Sequence, residues 1–240
     1  MATGLWAVRG LGRTYFGNQH FTPVPGDYDG NGYADIAAFR PLDGLWAVKN
    51  LTRFYFGDWL DTPIPGDYNG DGTCDPAVFR GLTGLWAIRG VTRFYFGQQF
   101  DWPLSGDFSG DGTAQAAVFR PSSIFGPAAG LWAVRGKTRF YFGRPGDLPA
   151  PEVFGWYGAA RKTGPFCLQP AVFRPESGLW AVRGQSRFYY GCFGDIPVPG
   201  DYDGNSLAEA TVFRHAAGLW ALRGRSRLYF GREGDLPVTR

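Results

Sequence analysis

The sequence predicts an all-β chain of small sheets stacked round an axis, a six-bladed β-propeller, and three observations predict it. First, the string G-L-W-A-[VIL] recurs six times, from Gly4, Gly44, Gly84, Gly130, Gly178 and Gly218, at offsets of 40, 40, 46, 48 and 40. Second, each period holds four short apolar segments divided by turn residues, and four strands in about 40 residues is the length of a propeller blade, longer than a β-helix coil. Third, segments such as Leu45-Trp46-Ala47-Val48 are apolar on both alternating faces. Both faces then need cover, and no stretch has the periodicity and caps of a covering helix, so sheets must cover sheets.

Taken in order, the first segment of a period reads P-I-P-G-D-Y (63–68), the second A-V-F-R (77–80), the third G-L-W-A-V (44–48) and the fourth R-F-Y-F-G (53–57). The fourth, with Phe54-Tyr55-Phe56, lacks polar alternation, and burial on both faces is expected there as well. Residues 4–17 supply only third and fourth segments, and residues 235–238 (Asp-Leu-Pro-Val) only a first. A closing blade built from both termini and lacking its second strand is expected, within one domain spanning 1–240. That blade then has three strands, or a missing stretch or a neighbouring molecule supplies the fourth, because an unpaired strand edge is sticky. Insertions fall around Ser122 to Ala128 and from Glu152 to Cys167, between strands, where function often sits.

The net charge of +3 is small, so no nucleic-acid or anionic-membrane partner is called for. No apolar run approaches the roughly 18 residues of a spanning helix. The first residues run into the repeat without the charged and apolar regions of a signal peptide, so none is expected in this chain. Cys74, Cys167 and Cys192 form no C-x-x-C pair, and a Cys167–Cys192 disulfide is left open. His20 and His215 accompany no nucleophile motif, and no Gly-rich phosphate loop precedes a helix, so the chain reads as non-enzymatic.

Acidic loops precede the second segment. The first reads Asp27-Tyr-Asp29-Gly-Asn31-Gly-Tyr33-Ala-Asp35 and the next Asp67-Tyr-Asn69-Gly-Asp71-Gly-Thr73-Cys-Asp75. Side-chain oxygens at positions 1, 3, 5 and 9, with a backbone carbonyl at position 7, are the donors that Ca2+ takes. Gly32 and Gly72 at position 6 permit a sharp turn, and the absence of Glu at position 12 separates these loops from an EF-hand. Two copies are degenerate: Asp107, Ser109, Asp111 and Thr113 are followed by Gln115, and Asp201, Asp203, Asn205 and Leu207 by Glu209. The bland alternative is that Asp-Gly and Asn-Gly make tight turns whose carboxylates cap backbone N–H groups. Against it, crowded carboxylates repel unless a cation neutralises them.

The combination P-G-D-Y-[DN]-G-[DN]-G, then D-[IP]-A-[AV]-F-R-P, then G-L-W resembles the FG-GAP/VCBS repeats of bacterial surface and secreted proteins, related in pattern to the integrin α-subunit propeller. The resemblance covers essentially the whole chain. It implies a propeller with Ca2+ in the loop joining the first two strands of a blade, an extracellular or cell-surface location, and a part in adhesion or binding of a carbohydrate or protein ligand. Gln115, Glu209 and the fourth repeat depart from the pattern.

Most of the 24 basic residues recur in three rows, after the third segment (as Arg89), before the fourth (as Arg53) and after the second (as Arg80). They either form a positive face for a polyanion or end strands by stacking on aromatic rings and pairing with Asp. Six tryptophans occupy the third segment and read as core. Trp59, Trp102 and Trp156 lie in variable connections and are the candidates for stacking on a sugar. A structural alternative is a self-assembling homo-oligomer, joined through the incomplete blade.

Overall fold

The third segment of each repeat folds as it does because tryptophan, valine and leucine are at home on a pleated, two-sided surface, and before all but the Gly130 copy stands a left-handed glycine. Gly44 has φ +70°, and a Cβ there would run into the carbonyl oxygen of Gly57, so no other residue fits. In the computed structural model, residues 4–121, 129–154 and 167–238 are described. Among them the only helical element is a 3-10 turn, His215–Ala217. The rest of the regular structure is five four-stranded sheets and one two-stranded sheet.

In each four-stranded sheet the strands are hydrogen-bonded in chain order. The first sheet holds Thr22–Pro23, Ala37–Arg40, Leu45–Val48 and Thr52–Tyr55, and the second Asp61–Pro63, Ala77–Arg80, Leu85–Ile88 and Thr92–Tyr95. The third holds Trp102–Gly106, Gln115–Arg120, Leu131–Val134 and Thr138–Tyr141. The fourth holds Leu148–Pro149, Ala171–Arg174, Leu179–Val182 and Ser186–Tyr189, and the fifth Ile196–Pro197, Thr211–Arg214, Leu219–Leu222 and Arg227–Tyr229. These are the blades of an all-β propeller fold.

Among the described residues there are five blades, which corrects the expected six. The sequence repeats its third-plus-fourth hairpin six times but its first-plus-second pair only five. The hairpin Leu5–Val8 with Gly12–Tyr15 stands as a two-stranded sheet, and 235–238 forms no strand, so the described residues build no closing blade from the two ends. The physical reason is the absent second strand. Elsewhere the first strand bonds only to the second, as Thr62 to Phe79 and Pro63 to Val78, so without it Leu236-Pro237 has no ladder to join.

Two further expectations need correction. The first strand is shorter and earlier than P-I-P-G-D-Y: it is Asp61–Pro63, followed only by an isolated bridge from Gly66 to Asp75. Ile64 N–H still reaches the carbonyl of Ala77 at 2.8 Å, but Pro65 has no N–H with which to continue. The fourth strand is not buried on both faces. Phe54 is half-buried against Trp46, whereas Arg53 is exposed and Tyr55 is 68% exposed, because this strand is the edge of its sheet.

The described chain clusters into two compact units, one of Met1–Gly106 with Thr113–Val118, the other of Asp107–Gly112 with Phe119–Thr239. In the first, Val24, Ala37, Phe39, Trp46 and Val48 pack with Val78 of the next sheet. In the second, Phe154, Phe173, Trp180 and Val182 pack with Val212 and Ala221 of the fifth sheet. Sheet covers sheet in both. Trp46, Trp86, Trp132 and Trp180 are fully buried, each with its indole N–H on a carbonyl of its own hairpin, as Trp46 on Phe56 at 2.9 Å. Trp46 sits between Phe39 (5.1 Å, tilted) and Phe54 (6.2 Å, stacked). Trp6 and Trp220 are only partly buried.

Candidate functional site

Each acidic loop is built on its position-1 carboxylate, which gathers backbone N–H groups as an Asx turn does. Asp27 accepts from Gly30, Asn31 and Gly32 at 2.7 to 3.0 Å, and Asp201 accepts from Gly204, Asn205 and Ser206 at 2.7 to 3.1 Å. Asp67 bonds Gly70 and Gly72, and Asp107 bonds Gly110 and Gly112 among others. Position 6 is left-handed throughout, with φ +87° at Gly32 and +85° at Gly72. The fifth loop puts Ser206 there at φ +67°, which strains a residue with a Cβ.

The position-9 carboxylate closes the loop onto position 2. Asp35, Asp75 and Glu209 accept the N–H of Tyr28, Tyr68 and Tyr202 at 2.9, 3.0 and 2.9 Å. The three phenols turn inward onto carbonyls of Val24, Ile64 and Val198. Burial raises all three well above an ordinary phenol, so they stay neutral donors. The fourth repeat keeps this frame without its acid: Phe154 N–H donates to Gln169 Oε1 at 2.8 Å, and Val153 stands where position 1 would be. A main-chain bond links successive frames. Cys74 N–H reaches the carbonyl of Asp27 (2.6 Å), Ala114 that of Asp67 (2.6 Å), Leu168 that of Asp107 (2.7 Å) and Ala208 that of Val153 (2.8 Å).

The carboxylates are not gathered equally. Oxygens of Asp27, Asp29 and Asp35 all lie within 4.8 Å of one another, as do those of Asp201, Asp203 and Glu209. In the second loop Asn69 stands at position 3, and its amide donates to Asp71 at 2.9 Å and Asp75 at 3.4 Å. Burial, followed by the charges of Asp71 and Asp67, raises the carboxyl of Asp75, while Thr73 lowers that of Asp71. In the third loop Gln115 Nε2 donates to the position-7 carbonyl of Thr113 at 2.7 Å, and Lys137 lies 3.7 Å from Asp111. In the fifth, Arg225 pairs with both Asp203 and Glu209. Lys137 and Arg225 hold the same repeat position, two residues after the turn glycine's predecessor, and there the first and second repeats carry Leu51 and Val91. Of the other sequence-selected donors, Tyr33 points its ring outward (79% exposed), so only its carbonyl could serve. Ser109, Asn31, Asn205 and Leu207 lie in the loop turns as the spacing requires.

The basic rows resolve individually. After the second strand, Arg80, Arg174 and Arg214 pair with Asp61, Asp147 and Asp195, buried acids that stand two residues before a proline at the start of the same blade's first strand. After the third strand, Arg89, Arg183 and Arg223 stack on Phe54, Phe140 and Phe188 of the preceding blade at 3.8 to 4.3 Å. Lys49 is the exception and bonds Thr14 Oγ1 at 2.7 Å, with threonine where the others have phenylalanine. The row before the fourth strand stays exposed, and with the following tyrosines forms Arg-x-Tyr faces, Arg53 with Tyr55 and Arg187 with Tyr189. Beside the fourth sheet, Asp147, Arg174, Leu179, Ala181, Arg187 and Tyr189 line a hollow of about 340 Å³. At the first sheet Phe21, Arg40, Leu45, Ala47 and Arg53, with phenylalanine at the place of Asp147, line one of about 220 Å³.

Sequence reasoning missed these hollows, although the recurring R-[FL]-Y was visible. Trp59 is 69% exposed in a turn and Trp102 is 40% exposed on its strand, while Trp156 lies outside the described residues. No disulfide joins Cys74, Cys167 or Cys192. His20 meets Gln19, and His215 accepts the N–H of Gly234, with no nucleophile in either set. No helix among the described residues is long and apolar enough to cross a membrane. Comparison with family models, with curated proteins and with solved structures returns no match.

Proposed function

We propose that the chain is a non-enzymatic, calcium-binding β-propeller of the FG-GAP/VCBS type, acting as an extracellular ligand-binding or adhesion module. The observation that carries this reading is the convergence of Asp27, Asp29 and Asp35 on a space less than 4.8 Å across. Two unit charges at about 4 Å repel by roughly 4 kcal/mol at the dielectric of a protein surface, so three in one turn favour a bound cation. An all-oxygen donor set of carboxylates, amide and carbonyl selects a hard ion, and a flexible loop suits Ca2+ better than Mg2+. The repeat itself supports this. Where the fifth loop brings a comparable trio together, it also brings Arg225, and the first repeat puts Leu51 at that position. The first loop is therefore the principal site, the second follows it, and the third and fifth carry side-chain cations of their own.

Ligand contact falls to the hollow beside the fourth sheet, where Tyr189 beside Arg187, Arg174 and Asp147 is chemistry that recognises sugars and acidic glycans. Millimolar extracellular calcium matches sites of this kind, whose dissociation constants run at about 0.1 to 1 mM. Calorimetric titration with CaCl2 tests the metal, and a glycan array with and without chelator tests the ligand. Heat and thermal midpoint unchanged by calcium would remove the metal reading. An array blank for the wild type would remove the glycan.

A further inference from the structure

We infer that the hollow beside the fourth sheet takes an acidic sugar, a ring carrying a carboxylate or a sulfate ester, and that Arg144 is the residue that fits this blade for the anion. The inference rests on the reading that ligand contact falls to this hollow, and adds to it the charge the ligand must carry. Of the residues lining the hollow only Asp147 is acidic, and its oxygens are already engaged. Arg174 donates to both, at 2.7 and 3.0 Å, and the N–H of Arg144 donates to one of them at 2.8 Å. The lining also holds the guanidinium groups of Arg144 and Arg187, and among the described residues neither pairs with an acid. Glu176 acts on Arg174 through space, from an exposed position and without an ion pair among the described residues. Two guanidinium groups are therefore left facing solvent without a counter-charge, and an oxyanion is their natural partner.

The rest of the lining says what should carry the anion. Val172 and Ala181 are buried and Leu179 half-buried, whereas Arg144, Arg187 and Tyr189 are exposed, so the floor is apolar and the rim cationic and aromatic. A sugar acid has the matching halves, a C–H face for the ring of Tyr189 and an oxyanion for the guanidinium groups. At about 340 Å³ the hollow lies at the small end of ligand pockets, which run from about 300 to 1,000 Å³, and a single ring suits it. The repeat contains its own comparison. The residue after the left-handed glycine at each blade's entrance is Asn18, Asp58, Gln98, Arg144 and Cys192 in turn. In the second blade Asp58 joins Asp61 on Arg80, so two acids answer Arg80 and Arg93. In the first, Asp43 holds Arg40 at 2.6 and 2.9 Å, and the smaller hollow keeps Arg53 as its remaining cation. In the fifth, Arg214 turns to Cys192 Sγ as well as to Asp195. A third guanidinium stands at the entrance of the fourth blade, where its neighbours carry an acid, an amide or a thiol.

The test uses the whole chain in calcium-containing buffer and follows the backbone amides of residues 143–147 and 187–189 by NMR. Methyl β-glucuronide and glucose 6-sulfate are titrated beside methyl β-glucoside and sodium sulfate. Saturable shifts are expected from at least one acidic sugar, with the neutral glucoside and bare sulfate weaker by about tenfold or more. The tighter of the two acids tells a carboxylate ligand from a sulfate ester. Arg144→Asp copies the second blade, so the frame already accommodates it, and it should weaken the acidic sugar by about tenfold or more. Arg53→Gln, in the first hollow, should leave that affinity at its wild-type value. No saturable shift with either acid, equal binding of bare sulfate, or full binding by Arg144→Asp overturns the inference. A glucoside that binds as well as the acids and ignores Arg144→Asp also overturns it, yet leaves ligand contact at this hollow standing. Silence from all four probes together with a blank glycan array removes both.

Discussion

Arg225 Nε lies 3.1 Å from Oε1 of Glu209, so a side chain from the fifth blade's last hairpin supplies positive charge to that blade's acidic loop. Leu51 occupies the corresponding place in the first blade. Arg225→Leu should therefore cost about 1 to 3 kcal/mol in the absence of calcium, by uncovering two carboxylates, and added calcium should restore most of it. Urea unfolding with and without chelator measures both, and a loss that calcium leaves untouched would contradict the equivalence.

The first loop should answer to calcium through positions 3 and 9. Wild-type stability should rise by about 1.4 kcal/mol at tenfold saturation of a site. Asp29→Asn should reduce that gain and Asp35→Asn abolish it. Asp111→Asn, in the loop that Gln115 and Lys137 already serve, should leave it unchanged. Thermal melts across a calcium series rank the three.

Asp147 is buried and bonds Arg174 through both oxygens, at 2.7 and 3.0 Å, besides the N–H of Arg144. Asp147→Ala leaves a guanidinium without its acid and should cost about 3 kcal/mol. Removing Asp43, the exposed partner of Arg40, should leave the denaturation midpoint at its wild-type value.

Burial raises the carboxyl of Glu152, and the charge of Asp201 adds to it against the N–H of Val153. The native state thus favours the protonated acid. Stability from this group is complete below the unfolded carboxyl pKa, about 4.3, and is lost as pH climbs through the raised native value. Glu152→Gln should accordingly be more stable than wild type at neutral pH and indistinguishable from it near pH 4, as chemical denaturation at the two pH values would record.

The sheets were legible because Trp46, Phe39 and Phe54 recur at fixed spacing, and a buried ring is hard to replace without trace. The blade number was misread because the third-plus-fourth hairpin is the more conspicuous half of the repeat, whereas a blade closes only when Ala37–Arg40 or its equivalent is present. Tyr55 was placed inside because a phenol counts as apolar in a pattern, though its strand is an edge. The loop residues were legible from Asp27 to Asp35, since a turn keeps its donors within nine positions. Arg225 reaches Glu209 from 16 positions on, and Arg174 reaches Asp147 from 27 positions on, distances that no local pattern spans. One signal was available: Asp61, Asp101, Asp147, Asp195 and Asp235 each stand two residues before a proline, a regularity that marks them as fixtures of the blade.

The bond from Cys74 to Asp27, like those from Ala114 to Asp67 and from Ala208 to Val153, joins main-chain atoms only. Coupling between neighbours is consequently indifferent to which side chains the turns display. A blade can surrender its acids, as the one containing Val153 has done, and remain fastened to the next. Repeat number and ion number are thereby free to drift apart during duplication, and a lineage can tune its dependence on salts turn by turn without rebuilding the scaffold.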